Sequence, residues 1–360
     1  MYDVIIIGAG PAGSIAAHVS TRLGLKALVI DRQAPPREKP CGGGLTPRSW
    51  KLLNRLGLEY PIYGVCKNIK TIAAGYQYQL SQDPIYVTRR PDFDYTLFKQ
   101  SGADFIKDQV VKVVDGVVKG RSGEYSARVV IGADGATSAV ARSIGVVSGL
   151  SHKTHGIAYM TIAKGPPSDT CLIDLDYVLG QIGELGYAWV FPLGEGANVG
   201  VGMGWGKWRD LRNMVVKFAE RHGYRPSEIY GHPLALGYVK ELGVRNILLA
   251  GEAAGLVDAT TGEGIYYAVA SGAAAATAAY IALKIHGRGK YAHGIYKELV
   301  KPYVEEVKKT RWLSLMAKYI SKRKTFVKLI GKRLVRLYQK VYTGEATYSL
   351  LLKPKLFDRV

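Results

Sequence analysis

Three glycines near the N-terminus stand at the spacing that accepts a dinucleotide, Gly8-x-Gly10-x-x-Gly13. In such a run the first glycine permits a tight turn. The second lets the backbone approach a pyrophosphate, and the third allows a helix to pack closely on a strand. An apolar strand, Val4–Ile7, leads into the run, and Ser14–Leu23 reads as the helix that leaves it. The start of that helix, with Ala12 in its first turn, offers N–H groups and the positive end of a dipole to phosphate oxygens. Asp31 ends the next strand with Arg32 beside it, at the separation of about 20 residues where an acid binds ribose hydroxyls.

Two later segments repeat the pattern of an apolar strand feeding a small-residue turn. In Val129-Val130-Ile131-Gly132-Ala133-Asp134-Gly135, with Ser138 and Arg142 following, Asp134 is either a cofactor contact or an ordinary turn residue. The segment Ile247-Leu248-Leu249-Ala250-Gly251-Glu252-Ala253-Ala254-Gly255 runs on to Gly262-Glu263-Gly264-Ile265. Glu252 can take ribityl or ribose hydroxyls, and the helix start near Gly264 and Ile265 can aim N–H groups at the polar edge of a flavin ring. Glu263 reads either as a catalytic acid or as a solvated acid at a helix start. A third glycine-rich run, Cys41-Gly42-Gly43-Gly44, suggests backbone packed closely on a cofactor. Its cysteine either donates a proton or is a buried, inert thiol.

The elements that must position these residues can be read from the 360-residue chain, which is long enough for two domains. Hydrophobic residues make up 48%, which excludes global disorder. The sequence divides into a first nucleotide-binding part at 1–150, a β-rich substrate part at 151–240, a return strand and helix at 241–286, and a basic helical region at 287–360. The strings HGIAYMTIA, TCLIDLDYVLG, GYAWVFPLG and ANVGVGM supply strands to the second part. In GYAWVFP, alternation puts Tyr187, Trp189 and Phe191 on one strand face and Ala188 and Val190 on the other. The aromatic face either walls an apolar tunnel or fills a core. Gly264 to Leu283 has no charged side chain, but it is rich in Ala, Gly and Ser and reads as a closely packed interior helix rather than a membrane span. Three sparse cysteines, Cys41, Cys66 and Cys171, suggest a reducing compartment rather than a disulfide framework. No CxxC or HExxH pairing points to a metal. The N-terminus has no basic leader and reads as lacking a signal peptide, which places the protein in the cytoplasm. No second strand–GxGxxG–helix unit for a nicotinamide is visible.

The three nucleotide-binding segments resemble the FAD-binding class that contains aromatic hydroxylases, and more narrowly the geranylgeranyl reductase family. Four passages carry the narrower resemblance: Lys39-Pro40-Cys41-Gly42-Gly43-Gly44-Leu45, Arg90-x-x-Phe93-Asp94-x-x-Leu97, Tyr187-Ala188-Trp189-Val190-Phe191-Pro192, and Gly251 to Gly255 with Thr261 to Ile265. The similarity spans roughly residues 1–285. Glu252 stands where the family usually has Asp, Ala259 where it has Pro, Asp31 where it has Glu, and Leu193 where a Lys commonly follows. The resemblance implies a mixed α/β fold, a Rossmann-like FAD-binding domain with an inserted β-rich substrate domain and a helical tail. It implies FAD as cofactor, held by Gly8, Gly10, Ala12, Gly13, Asp31, Arg32, Cys41, Gly42, Gly44, Arg90, Val110, Asp134, Gly251, Glu252, Gly262, Gly264 and Ile265. It assigns chemistry to Cys41, Tyr187, Trp189 and Glu263. The implied reaction saturates C=C bonds of geranylgeranyl chains on lipid precursors, with electrons from NADPH, ferredoxin or another donor. The alternatives are a monooxygenase on the same scaffold and a non-catalytic, flavin-bearing adaptor for membrane or nucleic acid.

The net charge of +20, from 49 basic and 29 acidic residues, favours anionic partners. Between Val307 and Gly344 stand twelve Lys or Arg and no acid, with apolar residues at three- and four-residue steps. That pattern is a basic amphipathic helix, suited to an anionic membrane surface or to covering the protein's own core. No base-reading motif appears, so nucleic acid is not the expected partner.

Overall fold

The computed structural model describes residues 1–146, 150–151, 154–205, 210–237 and 239–320, together with 340, 341, 346 and 348. The chain opens as the glycine spacing requires. Strand β1 (Tyr2–Ile7) turns through Gly8 into helix α1 (Pro11–Arg22), which returns to strand β2 (Ala27–Asp31). Short strand β3 (Gly44–Leu45) and helix α2 (Pro47–Arg55) follow, then the long hairpin β4 (Gly64–Ala73) and β5 (Tyr76–Val87). Helix α3 (Arg90–Lys99) leads to β6 (Asp104–Lys107), β7 (Val110–Val114), β8 (Val117–Gly120) and β9 (Glu124–Gly132), and to the short helix α4 (Ala139–Ser143). Next come β10 (His155–Lys164), β11 (Thr170–Asp174), α5 (Asp176–Ile182), β12 (Gly186–Pro192), β13 (Ala197–Met203), α6 (Leu211–Arg221) and β14 (Arg225–Ala235). The chain then returns through β15 (Gly243–Val244) and β16 (Ile247–Leu249) to α7 (Ile265–Tyr280) and α8 (Ala292–Ile320).

These strands form two sheets. The first runs β15-β16-β9-β1-β2-β6, with β1, β2, β6, β9 and β16 parallel and the β7–β8 hairpin attached to β9. Its central strands are apolar on both faces because helices cover both sides, as a parallel sheet requires. The second runs β14-β10-β13-β12-β11-β4-β5-β3 and is antiparallel except where β11 meets β4. Strands between residues 44 and 87, assigned by the sequence division to the nucleotide-binding part, thus pair into the second sheet. One face of that sheet carries Ala188, Val190, Val199 and Val201, buried with Met214, Val215 and Phe218 of α6. The opposite face is left for the site described below.

Helix α7 with the helical turn that follows it, Ile265–Ile285, is among the described residues the one stretch long and apolar enough to cross a membrane by length and composition. Here it packs between α1 and α8, and its small residues are what permit it: a Cβ at Gly272 would strike the backbone of Ala12.

The expectation of reduced thiols is corrected. Cys66 and Cys171 form a disulfide with Cα atoms 5.4 Å apart, and both are fully buried. They are 105 residues apart in sequence, yet β4 and β11 lie side by side, so spacing alone could not reveal the pairing.

Candidate active site

The carboxyl ends of β1, β2 and β9 and the glycine-rich turn before α7 converge on one cavity of about 780 Å³, which continues over the free face of the second sheet. At its first end, Gly8 has φ +105°, and a Cβ there would run into the Ala133 carbonyl after β9. Gly10 differs: its Cβ would meet nothing closer than an Arg37 nitrogen at 3.6 Å, so the position opens into the cavity. Gly13 lies off the cavity wall, and its Cβ would occupy the place of the Gly8 carbonyl. The Ala9 N–H donates to Asp31 Oδ2 at 2.7 Å, fixing the acid at the turn. Helix α1 begins at Gly10 and α7 at Gly264, neither with a side-chain cap. Gly10 and Gly264 both line the cavity, so two helix dipoles present their positive ends to it.

Of the other residues singled out for a cofactor, Ala12, Arg32, Cys41, Gly42, Gly44, Arg90, Val110, Asp134, Glu252, Gly262 and Ile265 also line the cavity. Gly251 does not. At φ +59° it brings the turn against Ala12 and Ala268. Asp134 caps α4, accepting from the Ser138 hydroxyl at 2.6 Å and the Ala139 N–H at 2.6 Å, and burial raises its pKa despite those bonds. Arg90 forms a two-pronged pair with the buried Asp94 at 2.7 and 2.9 Å and lies beside the Cys41 sulfur.

The second end of the cavity is apolar. Tyr187, Trp189 and Phe191 line it, and their alternation along β12 places them all on the cavity face. Opposite them on the same face, β13 and β10 offer only Gly202 and Ala158 across from Tyr187, and Gly200 and Met160 across from Trp189. A Cβ at Gly200 would collide with the Trp189 indole, so the glycine is what lets the ring lie flat along the sheet.

The four residues expected to do chemistry meet different fates. Tyr187 donates its hydroxyl to the Thr261 carbonyl at 2.6 Å, and burial raises its pKa. Trp189 donates Nε1–H to Asn198 Oδ1 at 2.9 Å, and Asn198 Nδ2 donates to the Cys41 carbonyl at 2.7 Å. This chain ties the aromatic wall to the Cys41 loop. Cys41 is a free thiol, partly exposed. Glu263 does not stand as a free acid. Its oxygens accept from Thr46, from Ser49 at 3.1 Å and from Arg48 Nε at 2.9 Å. Arg48 is buried in turn between Glu263 and Glu306 and lies over the Tyr266 ring at 4.4 Å. Glu263 therefore pins the α7 turn to α2 and, through Arg48 and Glu306, to α8.

The sequence reading missed a charged cluster at one side of the chamber. Lys39 contacts His232 Nε2 and lies 3.6 Å from the Glu252 carboxylate. Burial lowers the Lys39 pKa. Burial first, then the Lys39 charge, push His232 down to about 4, so its ring is neutral at pH 7. Burial pushes Glu252 up, but the Lys39 charge and the Ala235 N–H outweigh it, and the carboxyl stays below its ordinary range. Asn198 was missed as well. A signal existed: Asn198, Gly200 and Gly202 alternate with Ala197, Val199 and Val201, a face too small and polar for a core.

The glycine cradle, the two uncapped helix starts and the fixed Asp31 fit a flavin dinucleotide. A family model described as an FAD binding domain matches residues 1–100. A digeranylgeranylglycerophospholipid reductase of Thermoplasma acidophilum is 30% identical over 352 residues, covering 87% of this chain and 86% of its own length. A geranylgeranyl diphosphate reductase of Rhodobacter capsulatus is 29% identical, covering 93% of each chain. The crystal structure of a geranylgeranyl bacteriochlorophyll reductase-like protein from Thermoplasma acidophilum superposes with a TM-score of 0.79 at 26% identity, over 94% of this chain and 91% of that one. With the nucleotide cradle and the aromatic chamber joined in one cavity, and with relatives similar along most of its length, the chain belongs to the geranylgeranyl reductase family of FAD-dependent oxidoreductases.

Proposed function

We propose that the protein saturates C=C bonds of geranylgeranyl chains carried on membrane-lipid precursors, working at the cytoplasmic face of an anionic membrane. The observation that carries the reading is the shape of the cavity. Gly202, Ala158 and Met160 leave an apolar trough beside Tyr187, Trp189 and Phe191, continuous with the dinucleotide cradle. An isoprenoid chain is apolar, unbranched apart from methyl groups, and long, and such a trough buries it while excluding water. FAD, when bound and reduced, supplies the hydride.

The chain's own residues meet the remaining needs of the reaction. An isolated trisubstituted alkene accepts hydride only as a proton reaches its other carbon, so tertiary cationic character develops. The aromatic faces of Tyr187, Trp189 and Phe191 favour such a charge in a dry chamber. Tyr187 and Trp189 commit their polar hydrogens to hydrogen bonds with the Thr261 carbonyl and Asn198 Oδ1, and Glu263 is locked to Arg48. The free Cys41 thiol, held in its loop by Asn198, is therefore the group we assign to proton delivery. The electron donor is NADPH, ferredoxin or another carrier.

The test is anaerobic incubation of the dithionite-reduced protein with a digeranylgeranyl phospholipid, followed by mass spectrometry. The expected product gains two hydrogens per saturated bond. Unchanged lipid, together with oxygen-dependent hydroxylation of an aromatic compound in air, would replace this reading with a monooxygenase.

A further inference from the structure

The cavity opens to solvent at two ends. At the nucleotide end its exposed lining residues are polar, Arg32, Gln33, Gln109, Thr137 and Arg142 among them. At the chamber end they are Leu175 after β11 and Ala317 of α8, with Ser314 beside them. Leu175 is 38% exposed there, and two more large apolar side chains of α8 stand out further, Trp312 at 56% and Leu315 at 50%. A lone exposed apolar residue is ordinary. These belong to the helix that walls the mouth. Val304, Val307 and Thr310 form the buried face of α8, which Ser314 and Ala317 continue to the cavity. Trp312 and Leu315 are three residues apart on the adjoining face, side by side. Arg311 lies over the Trp205 ring at 4.7 Å and donates to the Leu236 carbonyl at 3.3 Å, and both partners line the cavity. The helix end is thus fixed to the rim. Lys308 and Lys309 precede the pair in sequence, and no acid stands from Val307 onward to Gly344.

We propose that this end of α8 is a membrane portal: Trp312 and Leu315 insert into an anionic bilayer, the basic residues hold its headgroups, and a lipid chain passes along Ser314 and Ala317 into the cavity. The proposal rests on the lipid-chain reading above and adds to it the route of entry. An indole at the headgroup level beside an aliphatic anchor suits the interfacial zone. The basic residues supply attraction that salt screens.

The experiment compares the FAD-loaded wild type with W312S/L315S and with Trp312→Phe. The first readout is flotation with vesicles of neutral phospholipid alone and with one fifth anionic phospholipid. The second is reduction of a digeranylgeranyl phospholipid either embedded in those vesicles or dispersed in detergent. Wild type is expected to float with anionic vesicles and to release them at high salt. W312S/L315S should lose about tenfold to hundredfold in partitioning, the worth of two apolar anchors, and as much turnover on embedded lipid. Its turnover on dispersed lipid and its FAD content should stay within about twofold of wild type, and Trp312→Phe should restore most of the binding. Unchanged flotation of W312S/L315S overturns the proposal, and so does lost flotation with full turnover on embedded lipid. If wild type reduces neither form, the reductase reading falls, and the flotation comparison still decides whether this face docks on a membrane.

Discussion

Two glycines five residues or fewer from the turn carry different burdens, although the sequence presents them as one motif. Gly10 opens into the cavity, whereas Gly13 is packed on the Gly8 carbonyl. Gly10→Val should therefore leave an apoprotein of near-normal stability that binds no FAD. Gly13→Val should unfold the β1–α1 unit, since no backbone adjustment spares both the strand and the helix. Thermal denaturation beside the FAD content of heat-released cofactor separates the two, and equal loss of stability would show that Gly10 is also structural. The missed cluster gives a pH prediction. The His232 pKa lies at about 4 in the folded state, against about 6.5 unfolded. The unfolded chain takes the proton first, so the neutral ring's contribution is full above pH 6.5 and is lost as pH falls toward 4. The charges facing the ring are Lys39, Glu252, Arg90 and Arg32. Urea denaturation at pH 7 and pH 5 should show a smaller drop for His232→Gln than for wild type, and identical drops would remove His232 from the acid response. At this scale the motif glycines and aromatics were legible, because each type has few alternative uses at its spacing. The roles of Glu263 and His232 were not, because they depend on Arg48 and Lys39, which the fold brings from far along the chain.

At the scale of elements, local pattern found many helices and strands, but TCLIDLDYVLG, read as strand, is strand only over Thr170–Asp174 and becomes helix α5 at Asp176, where Asp174 accepts from the Asp176 and Tyr177 N–H groups. The strand read at Val4–Ile7 runs Tyr2–Ile7, and the helix read at Ser14–Leu23 runs Pro11–Arg22. In the basic tail, α8 is helical through Ile320, and Lys322, Arg323 and Lys324 lie outside the described residues. Strand partnership was not legible. The hairpin of β4 and β5 looked like part of the nucleotide-binding region, and only its parallel contact with β11 carries it into the second sheet. That contact is closed covalently by Cys66 and Cys171, 105 residues apart. Closing a loop of roughly this length removes chain entropy worth about 4–5 kcal/mol from the unfolded state in the usual model, and measured losses run about 2–5 kcal/mol. The double variant Cys66→Ala, Cys171→Ala should lose stability in that range by denaturant unfolding under non-reducing conditions. A loss below about 0.5 kcal/mol would mean that the sheet holds its register without the cross-link.

At the scale of the whole molecule, two sheets that never share a strand enclose one continuous space. The first supplies loops and helix starts suited to phosphate and ribose, and the second supplies an aromatic face set beside Gly202 and Ala158. Each half is of limited use alone: the cradle would hold a cofactor with nothing to act on, and the trough would have no source of hydride. The sequence by itself determined the local halves of this arrangement. Glycine spacing sets a turn because only glycine tolerates positive φ and close backbone approach. Period-two alternation sets which aromatics share a face because strand side chains alternate. The tertiary structure alone decided what those faces meet. That the face bearing Tyr187 and Trp189 meets a void rather than a helix, that Glu263 is bound to Arg48, and that Cys66 reaches Cys171 are all consequences of pairings between residues 100 or more apart. Such contacts leave no local period in the chain, because their energy comes from surfaces that come together only when both sheets have formed.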